Sequence, residues 1–154
     1  MRRLAWPRYP GLFLQMAAGW LLAPLLIRLL PLPALLRVCS PTPVAARDED
    51  RLIRVRRYCE VMTHYLPLGT RQACLRQCLV LFYHLNRWGE PVTIRFGMRQ
   101  TEARAWIGHC WLTTADGALW QADPRAEDFT EVATFGLGSH PGIRLDPSRL
   151  ESVQ

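Results

Sequence analysis

Hydrophobic positions cover most of one helical stretch near the middle of the chain, and this stretch organises the predicted fold. Between Thr70 and Trp88 the apolar side chains recur with helical spacing. Thr70 is expected to cap the first turn, and Gly89 is expected to end the helix because glycine adopts the left-handed conformation easily. An apolar surface this broad predicts a helix that is buried on several sides.

A second helix is predicted before it, over residues 48–66. Its apolar side chains form one stripe, and arginines occupy other positions. The stripe consists of Leu52, Val55, Cys59, Met62 and Leu66. Residues 40–50 contain two prolines and are expected to form a linker.

Residues 1–39 form an apolar N-terminal segment. Its most apolar run, Leu12 to Ile27, is shorter than the ~20 residues of a spanning helix. We predict one or two short helices, broken at Pro24 and Pro31. Two interpretations stay open, which are packing within the fold and contact with a membrane surface. A signal peptide is disfavoured because no small-residue cleavage site precedes Cys39.

After the central helix, the hydrophobic period changes from helical to alternating, which predicts strands. The first covers residues 92–99, the second 105–114 and the third 118–122. Asp116 and Gly117 form a hairpin turn signal between the last two. Helices followed by an antiparallel sheet make an α+β fold.

The folded core is expected to span residues 51–135, and residues 136–154 are expected to be an irregular tail. Phe129, Val132 and Phe135 are candidates to fasten the region after the third strand to the sheet. We find no internal repeat.

Composition and charge narrow the functional classes. The chain has 154 residues and a net charge of +6. Arginines around the N-terminal segment favour an anionic membrane surface or an acidic peptide as partner. Nucleic acid is not expected, because no binding motif is present. The five cysteines form no C-x-x-C pair, which favours a reducing, cytoplasmic location. The four histidines lack zinc-ligand spacing, so no metal or other cofactor is expected.

Three residues in this pattern carry the candidate chemistry. Cys74 lies at a helix start, where the helix dipole favours the reactive thiolate. His109 lies in a strand and offers a base, and Asp123 at the end of the next strand offers a group to orient it. The alternatives also stay open at this point: a cysteine or histidine in the core, and an aspartate in a turn.

The chain resembles a known family of peptide-processing proteins. The matching segments are CLRQCLVLFYHLNRWGEPVTIRFGMR from Cys74, GHCWLT from Gly108 and ALWQADP from Ala118. These resemble the transglutaminase-like B2 proteins of lasso-peptide biosynthesis, over roughly residues 50–130. The length is similar to the split form, in which a separate B1 protein carries the leader-binding domain.

The resemblance implies a transglutaminase-core, papain-like fold and a Cys–His–Asp triad. Cys74 would be the nucleophile, His109 the base and Asp123 the orienting acid. The implied reaction removes the leader from a ribosomally made precursor through a thioester. A macrolactam-forming cyclase would then act on the freed core. The implied partners are the precursor peptide, the B1 protein and the cyclase.

The chain departs from the family pattern at several positions. Cys78 adds a second thiol one turn after Cys74 and competes with it as nucleophile. Cys110 stands beside the base, where alanine is common, and is expected to pack. Asp116 is the second candidate for the acid, and Gln72 is a weak candidate for an oxyanion donor. Two other functions stay open, a non-catalytic scaffold for precursor and cyclase, and an acyl or amide transferase.

Overall fold

The computed structural model describes residues 9–42, 46–66, 73–120, 126–137 and 142–145. Within these residues, four helices precede four strands, as the predicted α+β order requires. The helices are α1 (Pro10–Leu29), α2 (Leu32–Val38), α3 (Glu49–Tyr65) and α4 (Ala73–Arg87), and the strands are β1 (Val92–Gln100), β2 (Trp106–Thr114), β3 (Thr130–Gly136) and β4 (Gly142–Leu145). A short 3-10 helix, Ala126–Asp128, precedes β3.

Helix α4 is the centre of the core, as its apolar sequence predicts. It packs against α1 and α3 and against β1 and β2 of the sheet. Leu79, Phe82 and Leu85 are almost completely buried. Gly89 ends the helix at φ 83°, and a Cβ there would approach the Arg47 Cα to 2.7 Å. The predicted end of α4 is therefore confirmed, whereas the proposed cap Thr70 lies outside the described residues.

The buried side chain of Asn86 fixes the connection from α4 to β1. Its amide nitrogen donates to the carbonyl oxygens of Phe82 and Val92, at 2.9 and 3.3 Å. Its amide oxygen accepts from the Val92 backbone N–H at 3.3 Å. Three bonds from one side chain satisfy backbone groups at the helix end and at the strand start.

Helix α1 is continuous, so the predicted break at Pro24 was wrong. One face of α1 is buried, at Leu12, Met16, Trp20 and Ala23. A proline within a helix removes one hydrogen bond, and packing on both sides of Pro24 outweighs that loss here. The break at Pro31 is confirmed, because α2 begins directly after it. By length and composition α1 also passes as a membrane-spanning helix, which is weak evidence by itself.

The strands form one antiparallel sheet in the order β2-β1-β3-β4. β3 and β4 correct the sequence analysis, which predicted no strand after residue 122 and an irregular tail. Their short, glycine-interrupted pattern gave no clear alternation. The prediction that Val132 and Phe135 fasten this region to the sheet agrees with their burial. In the described part of the predicted third strand, Leu119 forms a single bridge with Thr113.

Candidate active site

Cys74 and His109, which are far apart in the sequence, are brought together. Cys74 is the second residue of α4 and is half-buried. His109 lies in the middle of β2 and is buried. The His109 imidazole is close enough to the Cys74 thiol for its hydrogen bonding to lower the pKa of that thiol. This places a thiol next to a base at the junction of the helical layer and the sheet.

Two aromatic rings hold the His109 imidazole in place. The ring of Trp111 stacks on it with centroids 6.0 Å apart, and the ring of Phe129 lies 5.0 Å from it in a tilted arrangement. Trp111 lies two residues after His109 in β2, so both side chains project from one face. Phe129 comes from the segment directly before β3. Sequence analysis missed both roles, although the spacing of His109 and Trp111 was a usable signal.

Gly97 makes room for this aromatic pair. It lies opposite His109 in the register of β1 and β2. A Cβ at Gly97 would lie 2.8 Å from the Phe129 Cβ and 2.8 Å from two atoms of the Trp111 ring. The β1–β3 register also shifts between Phe96 and Gly97. The absence of a side chain at this position therefore allows both rings to reach the histidine.

An ion pair links the three strands around His109. The Arg95 guanidinium on β1 donates to both carboxylate oxygens of Glu131 on β3, at 2.7 and 2.9 Å. It also donates to the Thr113 hydroxyl on β2, at 2.9 Å. Nη1 makes both bonds to Glu131 and Nε makes the bond to Thr113, so one guanidinium contacts both neighbouring strands. We expect it to keep β2 and β3 in fixed positions relative to β1.

The thiol of Cys110 is the second neighbour of Cys74, and it changes the chemistry expected there. The hydrogen bond with the Cys110 thiol, followed by burial, raises the pKa of Cys74 above its ordinary value. Hydrogen bonds with His109 and with the Cys110 backbone act in the opposite direction. The helix start alone had suggested a lowered pKa. The surroundings of Cys74 instead favour the protonated thiol at rest.

The other candidate residues that the structure describes have surroundings that differ from those of Cys74 and His109. Cys78 is buried in the hydrophobic core. Asp116 is exposed in the hairpin turn, where it accepts hydrogen bonds from the Thr114 hydroxyl and the Ala118 backbone. These bonds, with that of Thr114 the largest cause, lower the pKa of Asp116. Asp123 and Gln72 lie outside the described residues.

No group of three or more histidine, cysteine, aspartate or glutamate side chains converges as a metal site within the residues that the structure describes. All five cysteines are free thiols. Among the described residues, the reactive groups of the site are therefore the half-buried Cys74 thiol, the His109 imidazole and the neighbouring Cys110 thiol.

Comparison with known proteins identifies the family. A family model described as Transglutaminase-like superfamily matches residues 18–134. Neither the curated proteins nor the solved structures contain a match to the chain. The match covers the helices from within α1 onward and the sheet through most of β3. It confirms the fold class that the resemblance implied.

Proposed function

Because the chain belongs to the transglutaminase-like superfamily, we propose that it is a cysteine peptidase with Cys74 as nucleophile and His109 as base. The observation that carries this proposal is the closeness of the half-buried Cys74 thiol to the His109 imidazole, whose hydrogen bonding favours the thiolate. A nucleophile and a base within hydrogen-bonding reach are the core of the covalent mechanism. Cys78 lacks this support, since it is buried in the core.

The raised pKa of Cys74 specifies how the nucleophile is activated. A thiol that is protonated at rest transfers its proton to His109 as the sulfur attacks the scissile carbonyl. The imidazolium then protonates the leaving amine, and a thioester remains on Cys74. His109 next takes a proton from water, and the hydroxide releases the acid and restores the thiol.

Asp123 completes the proposed triad as the group that orients His109. The antiparallel bridge between Thr113 and Leu119 supports this role. Asp123 follows Leu119 by four residues, and His109 precedes Thr113 by the same number. Asp123 lies outside the described residues, and it is proposed instead of the turn residue Asp116 because it is the aspartate of the segment ALWQADP that resembles the B2 proteins.

The proposed substrate is the leader segment of a ribosomally made lasso-peptide precursor. This rests on the resemblance of the Cys74, His109 and Asp123 segments to the B2 proteins. The proposed partners are a leader-binding B1 protein, which presents the precursor, and the macrolactam-forming cyclase, which takes the freed core. The proposed location is the cytoplasm, where free thiols persist.

The test is mass spectrometry of a candidate precursor incubated with the protein and its leader-binding partner. Wild type should cut the precursor once, between leader and core. Cys74→Ala should abolish the cut, and His109→Gln should slow it by a factor of ~10²–10⁴. Cys78→Ala is the matched control, and it should still cut if it stays folded.

Four outcomes would contradict the proposal in different ways. Cutting by Cys74→Ala would exclude that nucleophile, and loss of cutting only in Cys78→Ala would move the site one turn along α4. Products that carry an added amine, when amines are supplied, would indicate a transferase. No cutting by folded wild type with the partner present would favour a scaffold.

A further inference from the structure

The outer face of α1 carries a stripe of exposed leucines, which we call the leucine face. It consists of Leu14, Leu21, Leu22, Leu25 and Leu29, each of which is between 53% and 67% exposed. These positions recur at helical spacing, opposite the buried residues of the same helix. An aligned apolar stripe of this length on a surface marks a contact site rather than scattered exposure.

The buried face of α1 fixes how this surface can be used. Met16 and Trp20 are almost fully buried. The Trp20 indole N–H donates to the Leu66 carbonyl oxygen at 3.1 Å, and the Arg76 guanidinium lies 4.8 Å from the centroid of the Trp20 ring. To cross a bilayer, α1 would have to leave this packing. Because α1 keeps this packing within the domain, a partner can bind only to its exposed outer face.

The N-terminal segment that carries the leucine face has only basic charges in its sequence. Residues 1–47 contain six arginines and no aspartate or glutamate. Arg28 and Arg37 are exposed at the ends of α1 and α2. Protein interfaces are enriched in aromatic side chains, whereas leucines beside arginines are typical of helices that lie on anionic membranes. The charge complements a surface of acidic phospholipids.

A groove beside this face extends the apolar surface. It opens between α1, α2 and α4, encloses about 410 Å³, and is lined mainly by apolar side chains. Ala18 and Leu26 of α1 line it, as do Val38 of α2 and Val80 of α4. An acyl chain is an occupant of suitable chemistry for such a groove.

We propose that the leucine face of α1 docks the domain onto an anionic phospholipid bilayer, with α1 lying in the plane of the interface. The leucines enter the boundary between headgroups and acyl chains, and Arg28 and Arg37 contact lipid phosphates. The inference is independent of the peptidase proposal, because it concerns a different surface and needs no catalysis.

The experiment is flotation of the full chain with two kinds of vesicle. One is an equimolar mixture of phosphatidylcholine and phosphatidylglycerol, and the other is phosphatidylcholine alone. The protein should float with the anionic vesicles, and added salt should weaken this binding because it screens the arginines. Arg28→Gln with Arg37→Gln should reduce the preference for anionic vesicles.

The double variant Leu21→Gln, Leu25→Gln tests the face itself. Loss of two inserted leucines should weaken binding about tenfold or more. Ile53→Gln is the matched control, because Ile53 is 65% exposed on α3 and should leave binding unchanged. Since the replaced leucines are exposed, both variants should unfold at the wild-type urea midpoint, which separates lost binding from lost folding.

Three results would overturn the proposal. The first is wild type that floats with neither vesicle at low salt. The second is a double variant that floats as well as wild type. The third is a wild-type dimer, seen by light scattering, that becomes a monomer in the double variant while vesicles are not bound. A second copy of the chain would then cover the leucine face.

Discussion

At the scale of single residues, Cys110 controls the state of the neighbouring Cys74 thiol. Its hydrogen bond is the largest cause of the raised pKa of Cys74. A side chain without a thiol at this position removes that effect and the mutual repulsion of two thiolates. The resting protein therefore holds the Cys74 thiol in a less reactive form than the helix start alone would give.

Cys110→Ala should lower the pKa of Cys74. The measurement is the rate of Cys74 alkylation by iodoacetamide as a function of pH, followed by mass spectrometry of the peptide. The midpoint should move to lower pH, since only the thiolate reacts. Cys39→Ala, at the end of α2, is the control and should leave the midpoint unchanged. A midpoint that stays constant or rises in Cys110→Ala would contradict the assignment.

His84 is a second residue with a measurable effect of burial. Desolvation, with a smaller contribution from Arg87, lowers the pKa of His84 from 6.5 to about 4. Above pH 6.5 the imidazole is neutral in both the folded and the unfolded chain. Between pH 6.5 and 4 the unfolded chain binds a proton that the folded chain does not, so the free energy of unfolding falls as the pH falls.

The full shift of the His84 pKa corresponds to a loss of about 3 kcal/mol in the free energy of unfolding. Urea unfolding at a series of pH values between 7 and 4 should show this loss in wild type. His84→Gln should flatten the part of the curve that belongs to this residue. His64→Gln, an exposed position on α3, is the control. If wild type and His84→Gln lose stability in parallel, burial of His84 does not contribute.

At the scale of elements, β1 influences the position of the His109 ring because Gly97 has no side chain. Gly97→Ala would place a Cβ 2.8 Å from Phe129 and from the Trp111 ring, and both rings contact His109. We expect a loss of ~1–3 kcal/mol in the free energy of unfolding. We also expect a lower kcat, because the imidazole moves away from Cys74.

The control for this substitution lies in the neighbouring strand. A Cβ at Gly108 would meet only the Gly97 carbonyl oxygen, at 3.9 Å, which is an ordinary contact. Gly108→Ala should therefore keep both stability and kcat close to wild type. Thermal unfolding measures the stability of the two variants, and cleavage assays measure their kcat. Equal behaviour of the two would show that crowding at Gly97 has no effect on the base.

The elements that sequence could predict are those with a strong hydrophobic period. The stripe of α3, the broad apolar surface of α4 and the alternation in β1 and β2 each specify their element, and Cys74 and His109 follow from their places in it. β3 and β4 lack such a period, so Phe129 could not be assigned next to His109. The effect of Pro24 was overestimated because tertiary packing, which a local rule does not include, keeps α1 continuous.

At the scale of the whole molecule, the N-terminal segment is part of the core. α1 packs on both α3 and α4, and Trp20 contacts the first turns of α4 through Arg76. Trp20→Ala should lower the free energy of unfolding by ~3–5 kcal/mol. Leu21→Ala, at the next and exposed position, should have little effect in urea unfolding. Equal losses for the two would mean that α1 does not pack as described.

The same reasoning applies to a protein that lacks α1. Removal of residues 1–39 would expose the side chains of α3 and α4 that α1 covers. We expect this shortened chain to aggregate or to unfold, and near-ultraviolet circular dichroism would show the lost packing. A folded, soluble product would mean that the segment is separable from the core, as its sequence alone had allowed.

The two faces of α1 also place two different limits on how the protein can vary through evolution. On the inner face, where Met16 and Trp20 are enclosed, replacements are limited by volume, because cavities and overpacking both destabilise a core. On the leucine face, space is open, and replacements are limited by polarity only if lipid contact is under selection. Related chains should therefore keep side-chain size on one side of this helix. On the other side they should keep only hydrophobic character, with leucine, isoleucine, valine and phenylalanine replacing one another freely.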